Sequence, residues 1–98
     1  MATARLLRIK HDHRDLVFLS ARVVEDAGCE AAWCLRIESP GDLDEFRGHL
    51  AGGSSMTLTL VTREGEHLRG EACVASVSDC LDAATIVTLS GMGPLRSV

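Results

Sequence analysis

The chain has 98 residues and a mass of 10.5 kDa, enough for one domain and too little for a second core. Apolar residues make up 46% and aromatics only 3% (Phe18, Trp33 and Phe46), which excludes wholesale disorder and leaves Leu, Ala and Val to fill the core. The net charge of −4 is opposite in sign to the basic balance with which nucleic-acid binders neutralise phosphate, so nucleic acid is not an expected partner.

In chain order, RLLRIK at 5–10 reads as a short extended segment with Leu7 and Ile9 on one face. HDHRD at 11–15 is a polar turn. LVFLSARVV at 16–24 reads as a strand with Val17, Leu19, Ala21 and Val23 on its main apolar face and Leu16 and Phe18 on the other. After a loop around Gly28, residues 31–38 alternate cleanly, with Trp33, Leu35 and Ile37 inward and Arg36 and Glu38 outward. These three segments predict an antiparallel meander.

The period then changes. SPGDLDEFRGHLAGG at 39–53 carries a helix: Ser39 and Pro40 signal its start, Asp42 and Glu45 form a capping-box pair, and Gly52 and Gly53 stop it. Leu43, Phe46 and Leu50 give it one narrow apolar stripe, which must lie against a sheet. SSMTLTLVT at 54–62 alternates Met56, Leu58 and Leu60 against threonines, and REGEH at 63–67 is a hairpin turn containing Gly65. In LRGEACVASVS at 68–78 the apolar face switches from Ala72 and Val74 to Ala75 and Val77, which predicts a bulge or sharp twist. DCLDA at 79–83 connects to a last strand at 84–95. The order β-β-β-α-β-β-β predicts a mainly β fold, a small sandwich or barrel flanked by one helix, in a single domain spanning 1–98.

No pattern of catalytic residues stands out. His11 and His13 could face a metal together, with a third ligand from His49, His67 or a cysteine, but the plainer reading of HDH is a solvated turn and no metal or cofactor is expected. Cys29, Cys34, Cys73 and Cys80 lack zinc-knuckle spacing and read mainly as core or half-buried thiols. The carboxylate groups 42/44/45, 64/66 and 79/82 fall in turns or at the helix start, where solvated charge is ordinary. Residues 5–10 do not form an apolar signal core, and the longest uncharged run, 83–95, is interrupted by Thr, Ser, Gly and Pro, so the expected setting is cytoplasmic with no membrane contact.

The text of residues 68–95 is the most distinctive. A G-E-A-x-V-x-S-V-S strand, an acidic bend and a strand ending in S-G-x-G-P-L resemble the closing hairpin of phage major tail (tail-tube) proteins, through Gly70, Ala72, Val74, Ser76, Thr85, Thr88, Leu89, Gly91, Gly93 and Leu95. The resemblance implies a β-sandwich or barrel with one flanking helix, subunits that form rings, other tail or phage-derived proteins as partners, and a place in the virion if the gene is a phage's. It covers under a third of the chain.

The first expectation is therefore a non-catalytic structural protein of phage-tail-like or prophage origin, a homo-oligomer assembling through strand edges. Leu16, Phe18, Val24 and Ile86, apolar on the second face of their strands, are its candidate assembly surface. The alternative is a small intracellular β-barrel binding module for a peptide, small ligand or nucleic acid. Its candidate surface is the basic run Arg5, Arg8, Lys10, His11, His13 and Arg14.

Overall fold

The structure, a computed structural model, describes residues 2–25, 33–41, 43–78 and 85–98. Its elements are β1 (Ala2–His11), β2 (Arg14–Asp15), β3 (Ser20–Glu25), β4 (Trp33–Glu38), α1 (Leu43–Gly52), β5 (Ser55–Thr62), β6 (His67–Ser78), β7 (Ile86–Gly91) and β8 (Arg96–Ser97). Every pairing is antiparallel. The order β1-β3-β4-β7-β6-β5 closes back onto β1 through a β1–β5 ladder, so the fold is a six-stranded barrel with β2 and β8 as short additions. The predicted meander is its first half.

Alternation explains the lining. Trp33, Leu35 and Ile37 of β4 point inward, as do Met56, Leu58 and Leu60 of β5, and all six are buried. Two bulges shift this simple pattern. In β1, Leu6 lies opposite Thr62 and Arg8 opposite Val61, which leaves Leu7 as the extra residue. Leu6 and Ile9 are consequently the buried pair and Leu7 is 61% exposed, a correction to the expected Leu7–Ile9 face. In β6 the register shifts between Val74 and Ser76, at the predicted switch of face. Beyond it Val77 packs against the core while Ala75 is exposed.

The predicted strand at 16–24 is shorter than expected. Residues 16–19 are irregular and β3 begins at Ser20. Leu16 turns into the core, its N–H donating to the Ile9 carbonyl at 2.8 Å, while Val17 and Leu19 are exposed. The strand reading had placed those two on the core face.

Helix α1 lies against β6 and inserts Phe46 into the core. Leu43 packs partly against that core, but Leu50 is 41% exposed, so the apolar stripe is shorter than its spacing suggests. Asp42, the proposed cap, lies outside the described residues, as do the loop around Gly28, Cys29, Cys80 and the 79–83 connection. Among the described residues no helix is long and apolar enough to cross a membrane.

Trp33 accounts for the glycines of the C-terminal text. A Cβ on Gly91 would overlap the indole at Nε1, and one on Gly70 would stand 2.9 Å from the indole and from Leu95. The Nε1–H donates to the Gly93 carbonyl at 2.6 Å. Gly70 and Gly91 are thus the bed on which the indole lies, and Gly93 meets its one polar atom. Gly70 and Gly91 leave room for a bulky ring across two strands.

Candidate functional site: an arginine-lined groove

Where β1 leaves β3 to pair with β5, the outer surface opens into a groove of about 400 Å³. Four of the nine arginines line it: Arg5 from β1, Arg22 from β3, Arg36 from β4 and Arg63 from the turn after β5. Their placement follows from register. Arg5 lies directly opposite Arg22, Arg22 directly opposite Arg36, and the Arg63 N–H donates to the Arg5 carbonyl at 3.0 Å. At the usual strand spacing the row runs about 15 Å across β4, β3, β1 and the turn after β5.

All four residues are exposed, and among the described residues none of their guanidinium groups makes a hydrogen bond or ion pair. Like charges set directly opposite one another on adjacent strands destabilise a sheet. Here two such pairs share a member, on a protein whose overall charge is negative. The row therefore concentrates positive potential against the sign of the whole molecule. Among the described residues the groove holds one carboxylate, Glu38, whose Oε2 accepts from the Ser20 hydroxyl at 2.8 Å. Leu19 and Ile86 add apolar surface.

Guanidinium groups on neighbouring strands can each offer a planar pair of N–H donors to a carboxylate or phosphate. Comparison with known proteins adds the fold alone. No protein-family model matches the chain, and no curated protein does. A solved structure, described as a hypothetical protein from Staphylococcus aureus, is similar with a TM-score of 0.77 at 12% identity, over 100% of this chain and 72% of that one. The likeness is in the barrel and carries no function with it.

The structure distributes the basic run of residues 5–14 over different surroundings. Only Arg5 reaches the groove. Arg8 pairs with Asp15 at 2.8 Å, and Arg14 with Glu45 of the helix. His11 is half-buried, its Nδ1 2.9 Å from Glu45 Oε1, while His13 is exposed beside Asp12 in the tight β1–β2 turn. Asp12 has φ of 59°, a left-handed conformation that a short polar side chain tolerates. Lys10 is half-buried opposite Asp15.

The candidate assembly residues are not an exposed strip either. Leu16 belongs to the core, Phe18 packs against it, and Val24 and Ile86 are half-buried, Ile86 in the groove wall. Cys34 and Cys73 are free and half-buried. They flank Ser90 from the two strands on either side of β7, about 10 Å apart at strand spacing and beyond disulfide reach.

Sequence reasoning missed Arg22, Arg36 and Arg63. One signal was present: Arg22 and Arg36 stand equally far in sequence from position 29, so a hairpin centred near Gly28 sets them opposite. Arg63 had none, because its neighbour Arg5 is supplied by barrel closure.

Proposed function

We propose that this protein is a small β-barrel binding module whose ligand is a small organic molecule carrying at least two negative charges. The observation that carries the reading is the row of four arginines, without a side-chain partner among the described residues, converging on one groove. Binding an anion relieves the repulsion along the row, so folded-state strain becomes ligand affinity. Leu19 and Ile86 suit the apolar part of such a molecule, and Glu38 suits a hydroxyl or amine on it. A small ligand is favoured over single-stranded nucleic acid because, among the described residues, no aromatic side chain lines the groove to stack on bases; Trp33 and Phe46 are buried in the core and Phe18 packs against it.

The test is calorimetry and thermal denaturation with citrate, tripolyphosphate and a nucleoside triphosphate as probes. At least one raises the midpoint of unfolding of the wild-type chain, and each arginine replaced by alanine costs about tenfold or more in affinity. Binding that is unchanged in Arg22→Ala/Arg36→Ala, or no binding of any polyanion, rejects the reading. Tighter, steeply salt-dependent binding of an oligonucleotide would transfer the groove to nucleic acid.

Self-assembly of the tail-tube kind is the second reading. Exposed Val17 and Leu19 favour it, as apolar side chains available to a neighbouring copy. Closure of the barrel leaves it mainly the short strands β2 and β8 as edges. Light scattering on a sizing column with reductant, over a wide concentration range, separates the two: a defined oligomer supports assembly and a monomer throughout rejects it.

A further inference from the structure

Away from the arginine groove, the end of β1 and the helix bring together three metal-ligating side chains that lie apart in sequence. Glu45 and His49 are one helical turn apart on α1, and that spacing sets them on one face. The β1–β2 hairpin delivers His11 to the same face. One ligand atom from each of His11, Glu45 and His49 lies within 4.8 Å of the others, and all three residues are half-buried. The rings of His11 and His49 meet edge to face with centroids 5.6 Å apart.

We propose that His11, Glu45 and His49 form a binding site for a divalent transition-metal cation of the zinc class. The donor set, two imidazole nitrogens and one carboxylate oxygen, is one that zinc takes with a fourth position left to water or another ligand. The contacts already made fit the outer surroundings of such a site. Arg14 holds Glu45 by Oε2, leaving Oε1 turned to His11 Nδ1 at 2.9 Å. His49 Nδ1 lies 2.7 Å from the Ser54 hydroxyl, a contact that orients the ring. In the tautomer whose Nδ1–H donates to Ser54, the His49 Nε2 carries the free lone pair. A cation takes the place of the hydrogen between His11 Nδ1 and Glu45 Oε1, and the neutral imidazole then carries its hydrogen on Nε2. The bound metal fastens the helix to the hairpin, two elements otherwise joined there by the His11 and Arg14 contacts to Glu45. His13, the other histidine of the HDH triplet, is exposed and takes no part.

The experiment titrates the tag-free, reduced, full chain with zinc by calorimetry, and with cobalt by visible absorption. The expected result is one zinc per chain and a cobalt spectrum without a thiolate charge-transfer band. His49→Ala and Glu45→Gln each weaken zinc binding by about tenfold or more, the loss that even an outer-shell change produces. His13→Ala binds as wild type. Circular dichroism establishes that His49→Ala, a change at a half-exposed helix position, keeps the fold. No saturable zinc binding, a thiolate band that assigns the metal to cysteines, or unchanged affinity in folded His49→Ala overturns the proposal.

Discussion

At Gly70, Gly91 and Gly93 the sequence is conspicuous and the chemistry is packing. At Arg5, Arg22, Arg36 and Arg63 the sequence is inconspicuous and charge accumulates. The glycines share one hairpin and answer to one ring, so their spacing can be read as text. The arginines occupy four separate stretches and come together only because antiparallel register and barrel closure align them. A motif that stands out in a small β protein therefore need not mark its site. Isolated outward-facing charges, each ordinary in its own strand, can add up to one.

The comparison is broken most severely at Gly91. Gly91→Ala places a methyl group inside the indole's volume, and overpacking of this kind costs about 3 kcal/mol or more, a large share of the stability of a domain this size. Urea denaturation should show that loss, while Gly93→Ala, with open space around its Cβ, should unfold close to wild type. An equal loss at both positions would mean that Trp33 does not lie across Gly91.

Trp33→Phe probes the same seal more gently. It keeps an aromatic ring on the glycine bed but removes the Nε1–H that donates to the Gly93 carbonyl, with an expected cost of about 1–3 kcal/mol from the lost packing and hydrogen bond. The midpoint of thermal unfolding falls by about 4–8 °C for each kcal/mol lost.

The arginine row should respond with the opposite sign. Arg22 sits between two arginines, so Arg22→Thr removes both facing repulsions and adds a β-branched residue to a strand. Stability should rise by a few tenths to about 1 kcal/mol at low ionic strength. Salt screens exposed charges, so the gain shrinks as ionic strength increases. A destabilised Arg22→Thr would mean that the guanidinium has a structural partner and the row is not strained. The smallest effect belongs to the paired region: Arg8→Ala removes an exposed ion pair with Asp15 and should change stability by at most about 1 kcal/mol.

Much of the architecture was legible from local physics. Strict alternation located β4 and β5 and their buried residues, the change of period located α1, and the switch of apolar face in β6 marked a real bulge. The errors share a cause. At 5–10 the pattern LLRI admits two inward pairs, and the bulge that selects Leu6 and Ile9 is imposed by pairing with β5, more than fifty residues away. At 16–19 the run LVFL looks like a strand because every residue is apolar, yet only Leu16 and Phe18 find the core when the chain crosses from β2 to β3.

The sequence by itself determined most of the extended segments, where the helix lies and the apolar faces of β4 and β5, because these depend on residue periodicity within a few positions. It also carried the glycines that admit Trp33. Whether the strands form a sandwich or a closed barrel, which arginines share a groove, and that His11 meets Glu45 and His49 were decided only by tertiary structure. Each depends on the register between distant strands or on the docking of a helix, and a one-residue slip in a β ladder turns every side chain to the opposite face.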